Sequence, residues 1–241
     1  MNVRSALLRS ILFACVVTTG CSVADEVPAT SPATTAAEAG MVDIQSLVPD
    51  FSVDMRYAGS ENFAGVAITG YEAPRCFLLK PVAEALQRVE LALRKQHQRL
   101  KVFDCYRPVR AVQHFVRWAN DLGDQRTKSR HYPNLDKSVL LGDYIAATSG
   151  HSRGATMDLT LEQCDRSGRK CTPLDMGTDF DFFDVRANTD NAGVSELQHQ
   201  NRLRLRDAME KEGFQNYPQE WWHYTFKPEP SPDRQFDFVV R

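Results

Sequence analysis

The chain has 241 residues, of which 42% are hydrophobic, 10% aromatic and 25% charged. Those proportions exclude collagen-like, coiled-coil and wholly disordered chains, and the length is ample for one large domain with a sizeable core. A formal net charge of −2 with no long basic run gives a phosphate backbone little to bind, so nucleic acid is not an expected partner.

The first segment reads as an address. Residues 1–10 carry Arg4 and Arg9 and no acid, and ILFACVV at 11–17 is a short apolar run followed by small residues. This is the pattern of a secretory signal over 1–20, far below the ~20 apolar residues of a transmembrane helix. Thr18-Thr19-Gly20-Cys21 resembles a bacterial lipobox, with Thr18 where Leu is usual, and marks Cys21 for lipidation. An ordinary signal peptide cut a few residues later is the alternative. The expectation is an exported protein, periplasmic or at the cell surface, that touches a membrane only through an N-terminal lipid. Residues 21–40 are mostly Ala, Thr, Pro and Ser and are expected to be a flexible tether. That leaves 41–241 as the folded domain.

Three helices follow from periodicity. Pro81 suits a first turn, and Val82, Ala85, Leu86, Val89, Ala92 and Leu93 keep a 3.6-residue period, with Glu84–Arg88 and Glu90–Arg94 as solvent-side pairs. A second helix opens at Pro108 with Val109, Val112, Val116 and Ala119 on one stripe. The third starts at a Ser195/Gln198 capping box, carries Leu197, Leu205, Ala208 and Met209, and stops at Gly213. Leu100–Cys105, Ala155–Leu161 and Trp222–Phe226 read as strands. Helices and strands interleave without a strict βαβ rhythm and without a glycine-rich nucleotide fingerprint, which favours α+β. The polar stretch 120–147 reads as a long loop or lid.

The chemistry concentrates in three clusters. Of six histidines, His97, His114, His131 and His199 stand alone and are expected to be surface or satisfied side chains. His151 stands in Ser149-Gly150-His151-Ser152-Arg153-Gly154-Ala155-Thr156-Met157-Asp158. In a strand from Ala155, Thr156 and Asp158 face away from Met157, and Gly154 lets the chain turn His151 back toward Asp158. An imidazole and a carboxylate brought together make two ligands of a metal; a capped loop with a buried hydrogen-bonding Asp is the plainer reading. His223 in Glu220-Trp221-Trp222-His223 would be a third ligand, and Glu220 a base for a metal-activated water. In a regular strand Glu220 and His223 point to opposite faces, so a bulge or turn after Pro218 is required. Arg107, in Asp104-Cys105-Tyr106-Arg107-Pro108, falls where a strand end meets a helix and can aim a guanidinium at an oxyanion or a carboxylate. Neither HExxH nor GxSxG is present.

Together these clusters resemble the zinc D-alanyl-D-alanine dipeptidases of the VanX type, within a wider group of zinc D,D-peptidases sharing S-x-H-x-x-G-x-A-x-D and a distant E-x-x-H. The match falls on Ser149, His151, Gly154, Ala155, Asp158, Glu220 and His223. Asp54–Ala58, Asn62–Gly65, Tyr106-Arg107-Pro108 and Met176–Asp181 point to the dipeptidase branch. The resemblance implies one Zn2+ held by His151, Asp158 and His223, Glu220 as general base, Arg107 stabilising the oxyanion, and Ser149 and Asp181 holding a small D,D-dipeptide, with Asp181 near its ammonium. It implies hydrolysis of D-Ala-D-Ala to two D-alanines. A D,D-carboxypeptidase trimming peptidoglycan stem peptides and a non-catalytic zinc domain binding wall fragments remain as alternatives. The expected fold is a single compact α+β domain, its small and mainly antiparallel sheet flanked by helices, with the zinc site in a cleft on the sheet. Resistance-associated members are cytoplasmic, so an exported one would act in envelope scavenging or wall turnover.

After Cys15 and Cys21, four cysteines remain, an even number suited to an oxidising compartment. Of three possible pairings the preferred one joins Cys164 to Cys171 around DRSGRK and Cys76 to Cys105. None of the four has a second Cys at CxxC spacing, which disfavours a second metal site.

Overall fold

The computed structural model describes residues 28–241, so the signal over 1–20 and the lipidation site Cys21 lie outside the described residues. Among the described residues ten strands are formed: β1 (Ala29–Thr30), β2 (Met41–Asp43), β3 (Ser52–Val53), β4 (Phe77–Leu79), β5 (Gln98–Asp104), β6 (Thr156–Cys164), β7 (Cys171–Pro173), β8 (Phe214–Asn216), β9 (His223–Phe226) and β10 (Arg234–Gln235). The helices are α1 (Ile44–Leu47), α2 (Lys80–Arg94), α3 (Val109–Asn120), α4 (Lys128–His131), α5 (Leu140–Asp143) and α6 (Glu196–Glu210). The main sheet runs β3-β5-β6-β9-β8 with β7 added beside β6, and every pairing in it except β3–β5 is antiparallel. This is the mixed α+β architecture expected.

Sequence pattern and burial agree along the long elements. Helix α2 buries Val82, Ala85, Leu86, Val89 and Leu93 and packs on β5, while α6 packs on β8 and touches α2. Ser195 and Gln198 form the capping box at the start of α6. Strand β6 is buried on both faces from Thr156 to Glu162, because strands flank it on either side and the core closes over it. The edges of the helical stripes differ from the expectation: Ala92 and Leu197 are exposed. The expected solvent-side ion pairs also differ. Glu90 is fully buried, with one oxygen accepting the Leu100 N–H at 2.8 Å and the other bonded to Arg94 and Arg99. Glu84 pairs with Lys80, and Arg88 reaches Glu212 on a different element. Glu90 thus keeps its expected partner Arg94 but in a buried place, Glu84 takes a different local partner, and only Arg88 exchanges a local partner for a long-range one.

The described part of the expected tether, 28–40, is laid against the domain instead. β1 pairs in parallel with β10, the Ser31 N–H donates to the Gln235 carbonyl at 2.8 Å, and Ala33, Ala36 and Ala39 pack on the core. Small side chains bury little area each, but a backbone ladder and three methyl groups suffice to order the segment. The expected loop over 120–147 is likewise packed. It contains α4 and α5, and buries His131, Tyr132, Lys137 and Leu140, with the Lys137 ammonium donating to the Asp121 and Asp124 carbonyls. No helix among the described residues is long and apolar enough to cross a membrane.

Candidate active site

Three neighbouring strands bring the polar groups side by side. The register pairs Asp104 of β5 with Asp158 of β6, and Asp158 with His223 of β9. A register shift between Val102 and Asp104 inserts Phe103 as an extra residue, which sets Asp104 rather than its neighbour opposite Asp158.

His151 arrives from the turn ahead of β6. The Ser149 hydroxyl accepts the His151 N–H at 3.3 Å, capping the 3-10 turn Gly150–Arg153. Gly154 closes it with φ +73°, a left-handed conformation that calls for glycine, and the Met41 side chain packs against its bare Cα. Inside, His151 Nδ1 donates to the Cys105 carbonyl at 2.7 Å, which leaves the Nε2 lone pair facing Asp158 Oδ2 and His223 Nδ1, each at 3.3 Å. His223 Nδ1 is 3.1 Å from Asp158 Oδ1 and 3.4 Å from Glu220 Oε2.

The turn required between Glu220 and His223 is present. The Glu220 N–H donates to the Tyr217 carbonyl and the His223 N–H to the Glu220 carbonyl, at 3.0 and 3.2 Å. Strand β9 therefore starts at His223, not Trp222, and the Glu220 carboxylate swings onto the His223 ring. The Asn216 amide ties the turn by donating to the carbonyls of both residues.

One atom of each of His151, Asp158 and His223 lies within 4.8 Å of the others. Asp158 Oδ1 is buried without a hydrogen-bond partner despite the nearby ring nitrogen. A carboxylate whose two oxygens each face an imidazole nitrogen, one of them left unpaired, is a donor set fitted to a borderline divalent cation such as zinc. Burial works to raise the Asp158 carboxyl, yet the His151 and His223 rings hold it below the ordinary carboxylate range. Burial pushes Glu220 the other way, up to about 7, with the neighbouring Asp158 adding to the shift.

Arg107 closes one side. Its Nε donates to Asp104 Oδ2 at 2.9 Å, its Nη2 lies 3.4 Å from Asp158 Oδ2, and the guanidinium sits over the Tyr57 and Phe115 rings. Asp104 is wholly buried and its other oxygen accepts the Tyr71 hydroxyl at 2.7 Å. On another side Asp181 sits at φ +56°, its carboxylate accepting the Tyr57 hydroxyl at 3.0 and 3.1 Å and its carbonyl bonded to His131 Nδ1 at 2.9 Å. Burial, with Asp158 beside it, pushes the Asp181 carboxyl well above the ordinary range. The fully buried Arg202 donates to the carbonyls of Met176, Arg186 and Asn188 and so holds the loop that carries Asp181.

These groups share a cavity of about 230 Å3 whose lining includes Arg107, Ser149, Asp158, Asp181, Glu220 and His223, with Tyr57, Phe115, Phe183 and Trp222 as its apolar walls. That is below the roughly 300–1,000 Å3 of drug-sized sites and suits a small ligand. Every candidate residue of the metal, base, arginine and substrate sets thus falls in one place, although the Ser149 hydroxyl is also occupied as a cap. None of the other four histidines joins the cation site, although buried His131 braces Asp181. His114 accepts from Thr69, His131 bonds to the Asp181 backbone, His199 faces Asp190 and His97 is exposed. Cys76 is bonded to Cys105 and Cys164 to Cys171. Asp104, Tyr57, Tyr71 and Arg202 were not singled out from sequence. Asp104 carried a signal, three residues before Arg107 at a strand end, whereas Tyr71 and Arg202 carried none.

An α+β domain that gathers a three-residue cation site, a carboxylate base and an arginine in one small cavity is laid out for metal-assisted hydrolysis. The chain belongs to the peptidase M15 family described as D-ala-D-ala dipeptidase, whose model matches residues 37–241. It is 39% identical over 204 residues to a D-alanyl-D-alanine dipeptidase of Enterococcus faecalis, covering 84% of this chain and 99% of that one. Similar proteins of the same name from Enterococcus faecium and Streptomyces coelicolor are 38% and 40% identical, over 85% and 82% of this chain and 100% and 96% of theirs. It is accordingly an enzyme of the metallopeptidase class.

Proposed function

We propose that this chain hydrolyses free D-Ala-D-Ala to two D-alanines, with one zinc ion held by His151, Asp158 and His223. The observation that carries the reading is a single small cavity in which Glu220 and Arg107 stand beside the three ligands while a buried carboxylate, Asp181, lines the same space. A bound zinc supplies Lewis acidity, bringing the pKa of a water to about 7 and polarising a carbonyl. Glu220, turned onto His223, takes the proton from the attacking water and passes it to the departing amine. The Arg107 fork, with Nε anchored on Asp104, donates from its terminal nitrogens to the developing oxyanion. Asp181 receives the substrate ammonium, oriented by Tyr57, and Ser149 lies at the cavity edge to meet the dipeptide.

The test is D-alanine release by the full chain from free and from N-acetylated D-Ala-D-Ala, with wild type and Glu220→Ala both zinc-loaded. Release from the free dipeptide alone, lost in the variant with zinc retained, is the expected result. Release from the acylated substrate would assign a wall carboxypeptidase instead.

We further propose export and lipidation at Cys21. The lipobox-like stretch supports this, and two disulfides suit an oxidising compartment. Labelled fatty acid incorporated by wild type and not by Cys21→Ser is the check; equal labelling of both would remove the anchor.

A further inference from the structure

We propose that the Cys76–Cys105 disulfide is a positioning element of the metal centre, holding the carbonyl that orients His151; this rests on the zinc reading above. The acceptor of the His151 Nδ1 proton is the Cys105 carbonyl, at 2.7 Å. Such an outer partner fixes which ring nitrogen is free for a metal and how the ring points. In this chain that partner lies one residue past Asp104, where β5 ends, so no sheet ladder holds it. The covalent bond to Cys76 takes over. Cys76 precedes β4, its own carbonyl accepts the Ile44 N–H at 3.0 Å, and both cysteines are fully buried.

The next backbone groups complete a closed frame. The Tyr106 N–H donates to the Phe77 carbonyl at 3.0 Å, and the Arg107 N–H to the His151 carbonyl at 3.3 Å. The disulfide therefore enters the frame between Asp104 and Arg107, the two residues that aim the guanidinium, and opposite His151. Cys164–Cys171 provides an internal contrast. It closes the β6–β7 hairpin six residues along the strand from Asp158, is partly exposed, and contacts none of the site residues named above.

The experiment compares the full wild-type chain with Cys76→Ser/Cys105→Ser and Cys164→Ser/Cys171→Ser, each read well below its melting temperature. Zinc affinity is measured by competition with a chromophoric chelator, the visible spectrum is recorded with Co2+ in place of zinc, and kcat and KM are measured for D-Ala-D-Ala. Cys76→Ala/Cys105→Ala stands in should the serine pair not fold. Loss of the inner disulfide is expected to weaken zinc binding about 10- to 100-fold, as lost outer-shell partners do. It should also shift the Co2+ bands and lower kcat more than it changes KM. Loss of the outer disulfide should lower the melting temperature and leave zinc affinity within about twofold, since it touches no ligand or outer partner. Zinc affinity and Co2+ spectrum unchanged in the folded inner-pair variant would overturn the proposal while leaving the dipeptidase reading intact. A wild-type chain that takes up no zinc and releases no D-alanine would overturn the dipeptidase reading, and the inference with it.

Discussion

Asp181→Asn tests the substrate pocket through two effects of opposite sign. In the free protein the Asp181 carboxyl is 5% exposed, bonded to the Tyr57 hydroxyl, and raised by burial well above its ordinary pKa. An acid whose folded pKa is raised keeps a proton that the unfolded chain has released. The folded state is then penalised as pH rises from about 4 toward the raised pKa, by up to about 1.4 kcal/mol per pH unit. Asn has nearly the same shape, can still accept from Tyr57 through Oδ1, and does not titrate. The variant should melt at the same temperature as wild type near pH 4 and increasingly above it as pH rises toward 8.

Catalysis should move the other way. Removing one partner of a buried charge pair costs about 2–5 kcal/mol, which is about 30-fold to several-thousand-fold in affinity. If Asp181 receives the ammonium, kcat/KM for D-Ala-D-Ala falls by that amount while the preference over the N-acetylated dipeptide collapses. Melting is followed by calorimetry across pH, and turnover by D-alanine release. A variant that melts several degrees lower and keeps activity within threefold would make Asp181 a structural residue and refute the pocket assignment.

Four further outcomes follow from the structure. Glu220→Gln should lower kcat by about 10²–10⁴ with zinc content unchanged, as expected for a lost general base; metal analysis with steady-state kinetics checks it. Arg107→Lys cannot both bond Asp104 and reach an oxyanion, so kcat should fall by about 10²–10³. Arg107→Ala should in addition lose about 3–5 kcal/mol in urea unfolding, because it leaves Asp104 buried and unpaired. Deleting residues 29–36 removes the β1–β10 pair and two of the three packed alanines, and should cost roughly 1–2 kcal/mol in urea unfolding while turnover of the zinc-loaded enzyme stays unchanged.

What the sequence made legible depended on how far each cause lay from its effect along the chain. His151 and Asp158 were readable because the turn that joins them is local: Ser149 caps it, Gly154 closes it, and the strand follows at once. The Glu220–His223 conflict was readable too, since a strand period alone puts them on opposite faces and a turn is the one remedy. Helix α2 was readable in its stripe and in the Glu90–Arg94 pair, but not in that pair's burial, because Glu90 also found the Leu100 N–H and Arg99 from the next element, nor in Arg88, which found Glu212. The same limit hid Asp104 and Tyr71. Their partnership spans 33 residues and depends on the β5 register shift, which no pattern in LKVFDC announces.

The misread tether shows where composition misleads. Ala, Thr, Pro and Ser between 28 and 40 have too little apolar surface to fold alone, and that much is sound. Folding alone was the wrong requirement. Strand β10 offers an edge from the other end of the chain, and β1 gains backbone bonds there that do not depend on side-chain size. The segment β10 belongs to continues to Val240, whose N–H donates to the Gly70 carbonyl and whose carbonyl accepts the Glu72 N–H. Tyr71 lies between them and holds Asp104, which in turn holds Arg107. The N-terminal strand thus pairs with the start of the C-terminal segment whose far end frames Tyr71, itself two steps removed from the guanidinium at the centre of the site. A composition too poor in apolar surface to fold alone is therefore ordered by backbone pairing, which a reading of side chains alone does not reach.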